Sequence, residues 1–430
     1  MTRTIQNFDA LAETNLRRVA LSIAEAGYEA INIGKSLSSR LVFNGDVLEI
    51  GGRSYPLANR RIFFVGVGKC SFPAAETIEK LLGERLTDGI ALSPASVNLP
   101  RLTRIQTRVG THPLPSEENE VATKEIINLL SGCTEDDLVL FLISGGGSTL
   151  LSLSEPPMTY LDEGALFTEL TKQGATIQEL NTVRKHTSLA RGGGLAKAAY
   201  PAEIISLIVS DVPGNDIGFI ASGPTVGDTS TVADAGAVLA RYHIQPTTTT
   251  AFRETPKEER YFTRVTNILF LTNNDALAAM QDEAARAGYA AHIVDNRISG
   301  EARDIGASLA EKLHAAPPKT VLLYAGESTV TLGSHSGAGG RNQEMALAAL
   351  AHIQPDELIL PMASDGHDNT NYAGAIADAI TLSHARDQNL SPDQFLRAHC
   401  SYDFFKTTGD ALTTGYTESN VSDFIITIKD

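Results

Sequence analysis

The stretch LVLFLISGGGSTLL, residues 138–151, decides the fold of this 430-residue chain. It begins with an apolar run that predicts a buried strand, which leads into Ser144 and three consecutive glycines before a helical pattern. Glycine permits both a sharp backbone turn and the close approach of a ligand. A glycine loop between a parallel strand and a helix N-terminus is typical of phosphate binding. The alternative is a tight turn without a ligand, and similar turns beside charged residues elsewhere in the chain count against it.

Five other segments repeat this pattern of a strand followed by a glycine-rich or polar exit. They are RIFFVGVGK (61–69), EIISLIVSDVPG (203–214), NILFLTNN (267–274), VLLYAGES (321–328) and LILPMASDG (358–366). Helical patterns lie between most of them, which predicts an α/β fold with open, mostly parallel sheets. In such sheets ligands bind beyond the carboxyl ends of the strands, so the residues at those ends are the candidate site residues.

The least periodic stretch, residues 245–260, is rich in threonine and ends in a charge run. We expect it to link two domains, residues 1–250 and residues 251–430, and to act as a hinge between two lobes. The first domain is expected to be Rossmann-like and the second a further α/β domain, with a cleft between them. The chain length agrees with two or three domains.

Composition excludes several classes of partner. The chain has 35 basic and 51 acidic residues, a net charge of −16, which disfavours nucleic acid and anionic lipid. No signal-peptide core and no run of about 18 apolar residues is visible, so no membrane segment is expected. The three cysteines are scattered without metal-ligand spacing. We therefore expect a cytoplasmic protein that binds small molecules, and the composition leaves homo-oligomer formation open.

The first strand exit contains Gly66, Gly68 and Lys69. The two glycines suggest a dinucleotide fingerprint, but Ser71 occupies the position of its third glycine. A Walker loop is also excluded, because Phe63 stands where its first glycine belongs. Lys69 places a positive charge where helix-terminal amides already favour an anion, although a solvated surface lysine remains the alternative.

Two further segments of the first half carry charge. Asp211 follows a strand and could accept a proton or hold a metal, or it could simply form an Asx turn. The segment VRKHTSLARGGG contains Arg184 and Arg191. These arginines predict either an anion clamp or a solvated helix face.

In the second half, Arg341 and Asn342 are predicted in the first turn of a helix. Arginine is unfavourable there because of the helix dipole, and a residue placed against a local rule is a candidate for function. Its guanidinium matches carboxylate or phosphate groups. Asp365 and Asp368 follow another strand and suit magnesium with bound water, or a plain turn. Together these residues predict phosphoryl transfer, which depends mainly on positioning and charge neutralisation.

At these segments the chain resembles the two-domain glycerate 2-kinase family, whose C-terminal half is called the MOFRL domain. The resemblance covers nearly the whole chain and rests on motifs in the same order. They are GVGK (66–69), THPLPSEEN (111–119), LISGGGSTLL (142–151), LNTVRKHTSLARGGGLA (180–196), SDVPGNDIGFIASGPTVGD (210–228), GESTVTL (326–332), GAGGRNQEMALA (337–348), SDGHDNTNYAGA (364–375) and GDALTTGYTESNVSD (409–423).

The resemblance implies phosphorylation of D-glycerate by ATP with Mg²⁺, with 2-phosphoglycerate as the expected product. It implies catalytic roles for Lys69, Asp211 and Arg341, and metal binding by Asp211 and Asp365. Lys69, Arg184, Arg191 and Arg341 are then expected to bind substrate. The residues expected to bind the nucleotide are Gly66, Gly68, Ser144, Gly145, Gly146, Gly147, Ser148, Glu327 and Asn342.

The sequence departs from the family pattern at DGHDNTN, where DGxDG is more usual, and this leaves the role of Asp368 open. Two other functional hypotheses belong to different classes. An NAD(P)-dependent hydroxypyruvate reductase would need the complete dinucleotide turn. A metabolite-binding regulator without catalytic activity would need no base, yet Lys69, Asp211 and Arg341 are all present.

Overall fold

The computed structural model describes residues 3–94, 99–247, 249–332 and 337–430. Residues 333–336 of the predicted glycine-rich turn and Thr248 of the predicted linker lie outside this range. The helices are α1 Phe8–Leu11, α2 Asn15–Ala30, α3 Ile33–Arg40, α4 Ser71–Leu82, α5 Glu117–Ser131, α6 Gly147–Leu150, α7 Tyr160–Lys172, α8 Ile177–His186, α9 Gly194–Ala199, α10 Val232–Arg241, α11 Asn273–Arg286, α12 Ala302–His314, α13 Arg341–Ala349, α14 Ala379–Asp387, α15 Pro392–Arg397 and α16 Ser401–Thr408.

The strands are β1 Leu41–Phe43, β2 Val47–Ile50, β3 Arg53–Pro56, β4 Ile62–Val67, β5 Leu86–Ser93, β6 Ile105–Val109, β7 Leu138–Ile143, β8 Glu203–Val209, β9 Val265–Leu271, β10 Ala290–Ile298, β11 Thr320–Gly326, β12 Glu357–Ala363, β13 Gly374–Ala375, β14 Ala377–Asp378, β15 Ala411–Leu412 and β16 Asp423–Lys429. The six strand patterns read from the sequence correspond to β4, β7, β8, β9, β11 and β12, and each prediction is confirmed.

The chain forms two compact units, Ile33–Phe270 and Met1–Asn32 with Leu271–Asp430. The first 32 residues therefore pack with the second half of the chain, whereas the sequence prediction assigned them to the first domain. The reason is tertiary: α2 lies against α11, and the buried Arg17 of α2 forms ion pairs with Asp378 (2.7 Å) and Asp410 (2.8 Å).

The prediction that residues 245–260 link the two domains is wrong. The described residues of this segment lie inside the unit Ile33–Phe270, and the chain passes between the units at Asn32 and again at Phe270. The segment is bonded into its own unit, since Arg253 N–H donates to the carbonyl oxygen of His186 and Thr255 donates to Asp228. It therefore cannot act as the hinge that its composition suggested.

The unit Ile33–Phe270 is built on a six-stranded sheet in the order β6-β5-β4-β7-β8-β9. The pairings from β6 to β8 are parallel. Strands β4 and β7 are buried along their whole length, which is why both are apolar on both faces. The Rossmann-like, mostly parallel sheet predicted for this part of the chain is confirmed. Strands β1, β2 and β3 form a separate antiparallel sheet.

The other unit contains a second sheet in the order β10-β11-β16-β12-β13-β15, with β14 also paired to β12. This sheet is mixed, because β16 inserts between β11 and β12 and runs antiparallel to both. Helices α12 and α13 pack against it around a core that includes Tyr324, Phe404 and Phe405. The second α/β domain is confirmed. No helix in the described parts of the chain is long and apolar enough to span a membrane.

Candidate functional site

The predicted site residues form two groups, one in each unit. In the unit Ile33–Phe270 the sheet order places β4 between β5 and β7. The chain continues from β4 to β5 on one side and later returns to β7 on the other, so the strand order reverses between β4 and β7. Val67 and Ile143, the last residues of these strands, are partners in the register. Such a switch point is where open α/β sheets bind ligands.

The two loops at this switch point are joined by hydrogen bonds. The backbone N–H of Lys69 donates to the carbonyl oxygen of Gly145 (3.0 Å), and the N–H of Cys70 donates to Ser144 Oγ (3.1 Å). Gly68 has a φ of +112°, and a Cβ on it would lie 2.3 Å from Ser144 Oγ. Only glycine fits at this position. The buried Ser144 hydroxyl thus holds the two loops together.

The glycine run turns through Gly146, which has a φ of +85° and precedes α6. Helix α6 contains only four residues, shorter than the helix that the sequence suggested. Among the described residues, the N–H groups of Gly145 and Gly146 have no hydrogen-bond acceptor. Two backbone donors are therefore available to an anion at this turn.

Lys69 lies beside this turn together with His112, a residue that the sequence reasoning did not select. A Cβ built on Gly146 would lie 3.8 Å from Lys69 Cγ and 3.6 Å from His112 Cδ2. Partial desolvation and the charges of Lys69 and Arg184 lower the pKa of His112. His112 belongs to the THPLPSEEN motif, which was the available signal.

The remaining glycine-loop residues make close protein contacts. Gly147 packs against Ala221, whose Cβ would be 2.6 Å from a Cβ at Gly147. The Ser222 hydroxyl donates to Asn181 Oδ1 (2.6 Å) and lies 3.0 Å from the Ser148 hydroxyl. Ala221 and Ser222 both have positive φ, of 50° and 59°, an unusual strain for residues other than glycine. Backbone strain of this kind is typical of functional sites.

Arg184 and Arg191 are the two arginines of the segment VRKHTSLARGGG, residues 183–194. The Arg184 guanidinium stacks on the ring of Phe167 at 4.5 Å, and burial and the charge of Arg191 lower its pKa to about 10. Arg191 is buried and lies 2.6 Å from Glu163, but the angles are not those of a hydrogen bond. Its guanidinium nitrogens have no hydrogen-bond partner among the described residues. Arg184 Nε, which also has no hydrogen-bond partner among these residues, is a donor for an anion, whereas the charge of Arg191 is already paired with Glu163.

The other two basic residues of that segment have structural partners. Lys185 donates to Asp228 (3.1 Å), and the ring of His186 lies between the carbonyl oxygen of Arg253 and the hydroxyl of Ser230. Asp211 follows β8, which pairs with β7, and is half-buried in the turn around Ser210. It lies at the same edge of the sheet as the glycine loop.

In the other unit, Gly326 at the end of β11 and Ala363 at the end of β12 both pair with Asp423. Arg341, the first residue of α13, donates to Asp423 through Nε and Nη2 and to Glu327 through Nη1. Burial raises the pKa of Asp423 to about 6, partly offset by Arg341. Burial alone would lower the pKa of Arg341, but the surrounding carboxylates raise it. Arg341 is thus held between two carboxylates.

The structure gives Asp368 a defined role as the cap of α13. Its carboxylate accepts hydrogen bonds from the N–H groups of Asn342 (3.1 Å) and Gln343 (2.8 Å). Gly340 lies so close that a Cβ there would be 2.2 Å from the Asp368 carboxyl carbon. Asn342 is itself buried beside this carboxylate. Asp365, in contrast, is half-exposed, and its Oδ1 accepts from the N–H of His367 (3.1 Å).

Among the described residues, the one group of three carboxylate or histidine ligands close enough to hold a metal is Glu13, His384 and Asp410. Arg17 already neutralises Asp410 at 2.8 Å. Asp211 and Asp365 belong to no such group. Mg²⁺ is commonly held by one or two carboxylates with water and substrate phosphates, which a half-exposed aspartate permits.

The structure shows why Ser71 stands at the position of the third glycine of a dinucleotide fingerprint. Gly66 lies within β4, and Ser71, at the position of the third glycine, starts α4. The Ser71 hydroxyl donates to the carbonyl oxygen of Leu92 (2.9 Å), which ties α4 to β5. The side chain therefore occupies the close helix–strand contact that a third glycine would make in a dinucleotide fold.

Comparison with known proteins agrees with this architecture. Residues 19–255 match a family described as a domain of unknown function, DUF4147, and residues 320–423 match the MOFRL family. A glycerate 2-kinase of Pyrococcus horikoshii is 35% identical, with 97% of each chain covered. A putative hydroxypyruvate reductase of Agrobacterium vitis is 39% identical over 84% of this chain and 86% of its own length.

The crystal structure of a glycerate kinase from Thermotoga maritima superposes with a TM-score of 0.86 at 30% identity, covering 96% of this chain and 99% of the other. The two family matches, the near-complete coverage and the shared fold lead to one conclusion. The chain belongs to the glycerate 2-kinase family, in its two-domain form with a C-terminal MOFRL domain.

Proposed function

We propose that the chain transfers a phosphoryl group from ATP to D-glycerate, in the presence of Mg²⁺, and forms 2-phosphoglycerate. The observation that carries the proposal is the turn after β7. There, the unpaired N–H groups of Gly145 and Gly146 lie beside Lys69 and His112. Backbone donors and cations around one turn suit a phosphate group, because phosphoryl transfer requires charge neutralisation and positioning.

In this proposal Lys69 neutralises charge that grows on the transferred phosphoryl group. Its backbone is fixed by the bond to Gly145, so the side chain starts from a rigid position. Gly68 and the residues from Ser144 to Ser148 shape the cradle for the nucleotide phosphates, with Gly66 at the end of β4 behind it. Preorganised donors of this kind stabilise a transition state without reorganisation during the reaction.

Arg184 and Arg191 are proposed to bind the substrate anions. The guanidinium donors of Arg191 have no hydrogen-bond acceptor among the described residues, and the buried Arg184 Nε also has none. A carboxylate or phosphate oxygen would supply the missing acceptors, in the bidentate geometry that guanidinium favours. Asp211, half-buried at the end of β8, is the candidate base for the glycerate hydroxyl or a ligand of Mg²⁺.

Arg341, with Glu327 and Asn342, forms the second proposed group of site residues. Asp423 occupies two of the three guanidinium nitrogens of Arg341, and Glu327 accepts from the third. An anionic substrate would therefore have to compete with Glu327, which is the more exposed of the two carboxylates. Asp365 is the second candidate ligand for Mg²⁺, which would supply charge neutralisation on the phosphates.

The test is phosphorus NMR of reactions that contain the full chain, ATP, MgCl₂ and either D- or L-glycerate. The expected product is 2-phosphoglycerate from the D-enantiomer, lost when Mg²⁺ is chelated. A 3-phosphoglycerate signal would refute the proposed position of phosphorylation. No phosphoglycerate across a range of pH, metals and nucleotides would refute the kinase activity and leave the regulator hypothesis.

The reductase alternative is tested in parallel with hydroxypyruvate and NADH or NADPH, followed by absorbance. We expect no oxidation of either cofactor above the background rate. Turnover that survives in Lys69→Ala, without any phosphoglycerate from wild type, would favour the reductase instead.

A further inference from the structure

A cavity of about 680 Å³ lies in the unit Ile33–Phe270 between α5 and α9. Both helices lead into strands, α5 into β7 and α9 into β8, so their C-terminal ends lie toward the amino edge of the sheet. The lining runs along both helices, from Glu120 and Gly194 in their first turns to Ser131 and Tyr200 at their other ends. It contains no residue of the glycine loop and neither Lys69 nor His112. The cavity is therefore distinct from the phosphate turn.

The walls of the cavity combine apolar and cationic side chains. The apolar part is formed by Ile127, Leu153, Pro156, Leu189, Ala198 and Tyr200. The charged part consists of Lys124, Lys197 and Arg253, with Glu120 as the one carboxylate of the lining. In a chain with a net charge of −16, a lining with three cations and one anion is unusual. It favours an anionic ligand.

Two of these cations are available for a ligand. Arg253 is paired with Glu155 at 2.9 Å, but neither Lys124 nor Lys197 forms an ion pair with a described residue. Lys197 also lies 5.7 Å from the ring centroid of Tyr261. Both lysines belong to the lining, so an anion in the cavity has two cationic side chains around it.

The wall also contains a buried hydroxyl without a partner. Ser154 is 7% exposed, and its Oγ has no hydrogen-bond partner among the described residues. A buried polar group that is left unpaired has lost its hydrogen bonds to water and destabilises the fold. Rotation of this side chain toward a bound carboxylate would satisfy the hydroxyl, so a ligand would relieve the cost.

We propose that this cavity binds a small organic anion with an apolar body, such as an aryl or branched alkyl carboxylate. The apolar wall covers the body, Lys124 and Lys197 neutralise the carboxylate, and Ser154 donates to one of its oxygens. Glycerate does not fit this chemistry, because it carries hydroxyl groups and has no apolar body. The cavity is therefore a separate site, independent of the proposed kinase reaction.

The test uses 8-anilinonaphthalene-1-sulfonate, an aromatic anion whose fluorescence rises in apolar surroundings, titrated into the full chain. We expect one saturable site, displaced by 3-phenylpropionate and not by the uncharged 3-phenylpropanol. The double variant Lys124→Glu/Lys197→Glu should bind at least tenfold more weakly. Its matched control, Lys80→Glu/Lys172→Glu, makes the same charge change on exposed lysines outside the cavity and should bind as wild type does.

A second variant separates shape from charge. Ala198→Trp fills the cavity and keeps both lysines, so it should abolish saturable binding while circular dichroism stays native. Equal affinities in the cavity variant and its matched control would overturn the proposal. Equal displacement by 3-phenylpropanol would overturn the requirement for an anion, and unchanged binding by Ala198→Trp would place the probe elsewhere.

Discussion

The backbone N–H of Lys69 donates a 3.0 Å hydrogen bond to the carbonyl oxygen of Gly145, and this bond joins the loops after β4 and β7. The two residues are far apart in sequence, but their strands are neighbours in register. Because the bond uses only backbone atoms, the loop geometry does not depend on the lysine side chain. A substitution of Lys69 can therefore remove the charge of its side chain without removing the backbone bond that positions the two loops.

Lys69→Ala should lower kcat about a hundred- to thousandfold and change the glycerate KM little. The side chain is proposed to act on charge that exists only in the transition state, and loss of such a contact costs about 3–4 kcal/mol. Steady-state kinetics with ATP and glycerate measures this, with Lys80→Ala on an exposed face of α4 as the control. Near-wild-type kinetics for a folded variant would contradict this role for Lys69 and would favour a phosphate site at the segment around Arg184 and Arg191.

Arg341→Lys should raise the apparent KM for glycerate more than it lowers kcat. An ammonium group cannot reproduce the bidentate bonds that Arg341 makes to Asp423, nor present a planar fork to a carboxylate. Initial rates over a range of glycerate concentrations measure the effect, and Arg386→Lys on the exposed side of α14 serves as the control. An unchanged KM with reduced kcat would assign Arg341 to the transition state instead.

His112→Gln should change the protons taken up when a nucleotide binds. The pKa of His112 is lowered in the free protein, so the ring is neutral at pH 7. A bound anion favours the charged ring and raises this pKa, so binding takes up a proton and tightens as pH falls through the raised pKa. Calorimetry of a non-hydrolysable ATP analogue, in two buffers of different ionisation enthalpy at pH 6.5, counts these protons. Equal counts for wild type and variant would show that the anion does not reach His112.

Asp368→Asn should destabilise the protein by about 1–3 kcal/mol, because an amide nitrogen would replace one of the two oxygens that accept hydrogen bonds from the N–H groups of Asn342 and Gln343. Burial raises the pKa of Asp368, and the hydrogen bonds from Gln343 and Asn342 partly offset this effect. Urea unfolding followed by circular dichroism gives the change, and Asp387→Asn at the exposed end of α14 is the matched control. Equal midpoints in the two variants would contradict the capping role.

The sequence by itself determined the elements that depend on local pattern. Strands β4 and β7 are apolar along their whole length because both faces of a parallel sheet are covered, and such runs are visible without a structure. The glycine turn at residues 145–147 and the start of α13 at Arg341 were also visible, since positive φ and helix periodicity leave a direct trace in the sequence. Because ligands bind beyond the carboxyl ends of parallel strands, these local patterns were enough to select the residues at the strand ends as candidates.

The tertiary structure alone decided which distant residues meet. The first 32 residues join the second half of the chain because Arg17 pairs with Asp378 and Asp410, and no local pattern encodes that contact. His112 lies beside Lys69 because the loop after β6 comes to the same edge of the sheet. Asp368 caps a helix that begins 27 residues before it. Burial and long-range partners set these roles, and both arise only when the chain packs.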